Sequence, residues 1–594
     1  MTAHLLLITL GPVQEFIAQA RRTRDLWYGS HLLSELARAA ARALVDGGAH
    51  LIFPALEQGD PELVPCLAPT RNGGKPPVNI ANKLLAGVPA GVDASGLART
   101  ARSTVMEFWR KDIASPVKQS CGGLIAGGVE AVWEEQIGTF IEFAASWAPL
   151  GNYVGARRQV EQAIASRKNL RDFEPWTRQR GNVPKSSLDG ARETVLRPPK
   201  QRDARLARKY RVTDGEQLDA VGLVKRAGGD PEQFVPVINV ALASWTDLAA
   251  RETPAELDAL KMSCEKVDIS RVLRSDLPCA AAFPFDASVL LQSRWESVFE
   301  EQGIEENSSS WGRNHVGPLI ERLTEPFPYV ACLLADGDRM GQAIDRLVSA
   351  NAHRAFSQAL STFAGDARNT IEQQHRGALI YSGGDDVLAF LPLPEALSCA
   401  DDLRQCFSTV MAGACDNLPT TERPTLSVGL GVGHVMESMG DLLALGRAAE
   451  REAKRDRNAL AVLVDKRSGG RRAWSGCWDK DPVGRLRTDA ELQKARLSSR
   501  KIYEVARTLM RLPEPTDGND PGWARLLALE VRRSLSRVGE GTLSPEEAGL
   551  SLDDNAGYAA LHRNVRAWMD RMLIARTFAM AVPQVRRRQE EEAA

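Results

Sequence analysis

A chain of 594 residues, 43% hydrophobic and 25% charged, has the length for about four domains and the make-up of an ordinary globular protein. Its 75 lysines and arginines balance 76 aspartates and glutamates, a net charge of −1, which excludes a uniformly basic nucleic-acid binder and confines any RNA contact to local patches. No apolar run approaches the roughly 18 residues that span a bilayer, and Met1–Gly11 lacks the basic flank of a signal peptide. Nine scattered cysteines with no C-x-x-C pair fit reduced thiols in a cytoplasmic protein, with no zinc-ligand spacing.

In chain order, His4–Leu10 reads as a strand, and Gly11-Pro12 opens a helix with Val13, Phe16, Ile17 and Ala20 on one face. The polar strip Arg21, Arg22, Thr23, Arg24, Asp25 follows, either a solvated helix end or a phosphate or RNA contact. Leu32–Val45 repeats its leucines and alanines at helical spacing. Trp133 and Trp147 read as core, and residues 153–171 as a basic helix that either tracks RNA phosphate or faces water. Residues 178–211 are rich in Arg, Lys, Pro and Gly and read as an exposed basic linker closing a first unit, 1–211. A helical connecting domain is expected over 212–325.

The third unit, 326–470, carries the chemistry. Tyr329–Ala335 is a continuous apolar run, as in a strand buried on both faces. It hands over to Asp336-Gly337-Asp338 and then to a helix beginning around Met340-Gly341. Downstream, the runs Ala378–Tyr381 and Val387–Leu391 flank Ser382-Gly383-Gly384-Asp385-Asp386, a hairpin with a glycine turn. The bland reading of that tip is a solvated acidic turn. Read together with the strand-end pair, Asp336, Asp385 and Asp386, assisted by Asp338, hold one or two Mg²⁺ or Mn²⁺ ions for phosphoryl transfer. Ser382 is expected to bond a phosphate or ribose, or else to serve as plain turn chemistry; Gly383 and Gly384 leave room for a bulky ligand. The unit continues as a helix over 395–412, a strand over 425–433, a helix over 441–455 and a strand over 459–464. Beyond 470 the periodicity is helical throughout, giving a C-terminal helical domain, 471–594, with a frayed tail from Val585.

This order of elements resembles the ferredoxin-like palm of nucleotidyl cyclases and polymerases, and the tail TLSVGLGVGH…AAEREAKRDRNALAVLVDKRSG is similar to GGDEF-type diguanylate cyclases. With GPVQEFIAQARRTRDLWYGSHLLSEL near the start, the whole chain resembles the large subunit of type III-B CRISPR RNA-guided effector complexes, the Cmr branch. The resemblance implies an α+β fold with two palm domains and two helical ones. It implies synthesis of cyclic oligoadenylate from ATP, and as partners other effector subunits, guide RNA and target RNA. Asp336, Asp385 and Asp386 would be catalytic; Ser382, Gly383, Gly384, Gly341 and a triphosphate-neutralising Lys454 would bind nucleotide. No histidine is followed by Asp, so the family's HD nuclease is expected to be absent, and the stretch 184–190, where relatives carry a zinc ligand, has no cysteine. The alternatives are a silent scaffold that holds guide and target RNA, and a GGDEF-like cyclase acting alone.

Overall fold

The apolar runs become the inner strands of two sheets. The computed structural model describes residues 2–66, 80–169, 182–229, 235–272, 274, 276–416, 418–467, 469–515, 521–536, 543–553 and 557–586. Residues 170–171 and 178–181 of the basic stretches and the tail past 586 lie outside them. Strands β1 (Thr2–Gly11), β2 (His50–Phe53), β3 (Lys83–Pro89) and β4 (Glu142–Pro149) form an antiparallel sheet in the order β2-β3-β1-β4.

The second sheet holds β5 (Tyr329–Asp338), β6 (Ala378–Gly383), β7 (Asp386–Pro392), β8 (Thr425–His434), β9 (Ala459–Val464) and β10 (Arg472–Cys477). Its order is β10-β9-β8-β5-β7-β6, so the part β8-β5-β7-β6 repeats the strand order of the first sheet. The fold is α+β, with two palm-like sheets and helical regions between and after them.

One face of the second sheet is covered by the helices Ala350–Asn369 and Leu393–Ala414, whose Phe356, Phe363 and Phe407 are fully buried. Val330, Cys332 and Phe390 on the other face share a core with Leu32 and Leu36 of the helix Thr23–Asp46. The two sheets are therefore joined through apolar packing rather than a tether.

Three stretches differ from the expectation. The strip Arg21–Asp25 is neither solvated nor presented to a ligand as a whole, because Thr23 already begins the helix and Arg24 and Asp25 are buried. Arg226 donates to Asp25 at 2.8 Å and to Glu216 at 2.7 Å, and Arg24 lies over the Tyr210 ring. Such a buried ionic knot fixes how the helix Thr23–Asp46 seats on Ala220–Ala227.

The basic stretch from 182 onward packs as well: Val195, Leu196 and Tyr210 enter the first core. Arg202 donates to the carbonyls of Arg197, Thr213 and Glu216. Arg197 and Arg202 thus satisfy backbone oxygens of a folded loop, which composition alone reads as a linker, while Arg205 and Arg208 stay exposed. Beyond 470, β10 extends the second sheet before the helices Pro482–Ala495, Ser499–Arg511, Pro521–Ser536 and Tyr558–Ala581 begin. Six residues ending a Gly-Gly turn give too short a pattern to stand out from helical neighbours.

Candidate active site

β5 runs to Asp338, so the acidic pair belongs to the end of a strand rather than to the handover into a helix. Ala335 pairs with Val387, which sets Asp336 beside the Asp386 end of β7. Gly383 pairs with Asp386, leaving Gly384 and Asp385 as a two-residue turn with Gly384 at φ +79°. That left-handed backbone is the reason glycine stands at 384. Carboxylate oxygens of Asp336, Asp385 and Asp386 come within 4.8 Å of one another. A Cβ on Gly337 would stand 2.8 Å from Asp385 Oδ2, so only glycine lets that carboxylate reach the end of β5.

Like charges at this spacing repel, and the acids respond. Burial and the neighbouring Asp336 raise Asp385 to about 6. Asp386, open to solvent on one side, is raised by partial burial, by a hydrogen bond shared with Asp336 and by the charge of Asp385. Three hard oxygen donors that are costly to ionise together fit a divalent cation such as Mg²⁺ or Mn²⁺.

Lys454 reaches the same place from the helix Met439–Asp456. Its ammonium lies 2.5 Å from Asp336 Oδ2 and 3.2 Å from Asp338 Oδ1, and donates to the Gly337 carbonyl. Burial opposes its charge, yet the bond to Asp336 and the two carboxylates hold it above its ordinary value. The helix arrives this close because β8 offers glycine at every second position. A Cβ would stand 2.1 Å from Glu450 N at Gly429 and 2.4 Å from Gly446 N at Gly431. Glu450, one turn before Lys454, is a further acid that burial and Asp336 raise, and nothing in the run AAEREAKR marks it apart from its charged neighbours.

Asp338 does not join the trio. It is buried, and it accepts from Thr425 Oγ1 at 2.8 Å, Ser427 Oγ at 2.9 Å and the Asn458 backbone N–H at 2.9 Å. With Lys454 its oxygens are fully engaged, which makes it an anchor for the turn at Arg457 (φ +59°) and Asn458 (φ +44°) rather than an added cation ligand.

Ser382 is corrected too. Alternation along β6 turns it to the opposite face from Asp386, where its hydroxyl donates to the Ala364 carbonyl at 3.4 Å. Gly341 lies exposed in the helix Met340–Asp345 with nothing near its Cα face.

A family profile described as Cas10/Cmr2, second palm domain, matches residues 329–461, and one described as CRISPR-associated protein Cmr2, N-terminal, matches residues 5–114. The chain is 23% identical to the CRISPR system Cmr subunit Cmr2 of Pyrococcus furiosus, over 89% of this chain and 69% of that protein. Among solved structures it is similar to a chain of type III-B Cmr-beta bound to cognate target RNA, with a TM-score of 0.61 at 14% identity over 92% of this chain and 80% of that one. The apo state of Cmr-beta gives 0.59 at 13% over 91% and 78%. At such identities these two likenesses are likenesses of fold.

Proposed function

Because the chain belongs to the Cas10/Cmr2 family, the large subunits of type III-B CRISPR effector complexes, we propose that it makes cyclic oligoadenylate from ATP when target RNA is bound. The observation that carries this reading is the meeting of Asp336 with Asp385 and Asp386 at the end of one sheet, from positions about fifty residues apart. A pure scaffold gains nothing from three crowded carboxylates, and a cyclase acting alone has no need of a second sheet and a helical tail.

In this reading Asp336, Asp385 and Asp386 would hold the divalent ion or ions, which would neutralise phosphate charge and ease ionisation of a hydroxyl. Lys454 supplies a positive charge for the triphosphate, next to the carboxylates that now hold it. The glycine turn leaves the hairpin tip clear. The 3′-oxygen of one adenosine bonds to the α-phosphorus of the next ATP, the bond to the β-phosphate oxygen breaks, and pyrophosphate leaves; the hydroxyl proton passes to solvent. The first sheet, fused to the second through a common core, holds the acceptor nucleotide, and the helical regions meet other subunits and the guide and target RNA.

The reconstituted complex, given guide RNA, target RNA, Mn²⁺ and labelled ATP or GTP, tests this. Target-dependent oligoadenylate is the expected result. Bound RNA with no product would favour the silent scaffold, and consumption of GTP in place of ATP would favour the diguanylate-type reading.

A further inference from the structure

The tyrosine two residues before the double glycine stands in the site without a role in the chemistry above. In β6 the ladder pairs Leu379 with Ala389 and then Tyr381 with Leu388, so one extra residue, Ile380, sits in a β-bulge. Plain alternation from Leu379 would put Tyr381 on that residue's face, toward the helix Ala350–Asn369. The bulge carries it to the other face, with Gly383 and Asp386.

There the ring lies along the strand toward the hairpin tip. A Cβ on Gly383 would stand 1.8 Å from the Tyr381 hydroxyl oxygen and 2.2 Å from Cζ, so residue 383 is glycine because the phenol occupies its side-chain space. The side chain is half-buried, and among the described residues its hydroxyl makes no hydrogen bond. A phenol hydroxyl is protonated at neutral pH and so stands as a donor. A hydroxyl donor with no protein acceptor, fixed beside carboxylates built to gather cations and phosphates, is aimed at an oxygen supplied from outside.

We propose that the Tyr381 hydroxyl donates a hydrogen bond to a phosphate oxygen of the nucleotide bound at the acidic trio. This rests on the nucleotide reading of that site and adds to it a neutral contact that none of the charged groups provides. A donor to a charged oxygen is worth about 10- to 100-fold in affinity.

The test titrates the purified full chain with ATP and with inorganic tripolyphosphate in Ca²⁺, by calorimetry, for the wild type, Tyr381→Phe, Gly383→Ala and the double variant. Tyr381→Phe keeps the ring, so its melting temperature is expected to be unchanged while both ligands bind about 10-fold or more weakly. Gly383→Ala, which pushes the phenol aside, is expected to give a similar loss that does not add to the first in the double variant. Wild-type affinity in Tyr381→Phe overturns the proposal alone, and so does a loss confined to ATP with tripolyphosphate unaffected. A wild-type chain that binds neither ligand overturns the nucleotide reading and this contact together.

Discussion

If the chain makes oligoadenylate as proposed, Asp385→Ala combined with Asp386→Ala is expected to stop that synthesis by the assembled complex, a loss of at least about 10³-fold, with guide and target RNA bound as before. The size follows from removing two of the three oxygen-bearing side chains that meet at the hairpin tip. Binding survives because neither side chain belongs to an apolar core: Asp385 is half-buried in the hairpin turn and Asp386 is exposed at the strand end.

The same variant is expected to melt a few degrees higher than the wild type in EDTA at pH 7.5. Asp385 titrates near 6 in the folded chain, above its ordinary 3.8. Between those values the folded state holds more protons than the unfolded one. Stability of the cation-free chain therefore falls as pH rises from about 4 through about 6, by on the order of 2 kcal/mol after allowing for solvent access. Alanines remove that dependence. Adding Mg²⁺ or Mn²⁺ raises the wild-type melting temperature at pH 7.5, raises it less at pH 5, and leaves the variant unmoved. A variant less stable than the wild type in EDTA would show that the carboxylates serve the fold.

Gly431→Val removes the second palm-like sheet as a folded unit. The would-be Cβ at 431 meets the backbone of Leu445 and Gly446 at 2.4 to 2.6 Å, and backbone atoms cannot rotate away as a side-chain tip does. The helix Met439–Asp456 must lift, taking Leu442, Leu445, Ala449 and Ala453 out of their packing and Lys454 away from Asp336. A cost of ~4 kcal/mol or more places this among the severe core substitutions. Soluble yield and a thermal melt read the result; a Gly431→Val chain with wild-type melting would mean that the helix does not depend on this bare strand.

Much of the site is legible from local pattern. A buried apolar run ending in Asp, and two apolar runs around Gly-Gly-Asp-Asp, locate β5 and the β6–β7 hairpin and single out Asp336, Asp385 and Asp386. What local pattern misses depends on neighbours distant in the chain. Asp338 looks like Asp336 until Thr425 and Ser427 arrive on β8 and engage it. Ser382 is adjacent to the glycines but lies on the wrong face of the sheet, a consequence of its position relative to Asp386 that strict alternation already contains.

Tyr381 is the converse. One bulged residue reverses the face that alternation assigns it, and nothing in ALIYSGG marks the bulge. The arginines around the start of the helix Thr23–Asp46 and those of residues 182–211 mislead for another reason. Composition counts them as surface charge, whereas Arg24 is buried over the Tyr210 ring and Arg202 is buried on the carbonyls of Thr213 and Glu216.

The proposed chemistry requires Asp336, Asp385 and Asp386 to make one cation site. Mn²⁺ titration of the purified full chain, followed by electron paramagnetic resonance of the free ion, tests it most directly. Tight Mn²⁺ binding is expected at neutral pH, weakening as pH falls below about 6, where Asp385 takes up its proton, and lost in Asp385→Ala/Asp386→Ala. Equal Mn²⁺ binding by the wild type and that variant would contradict it.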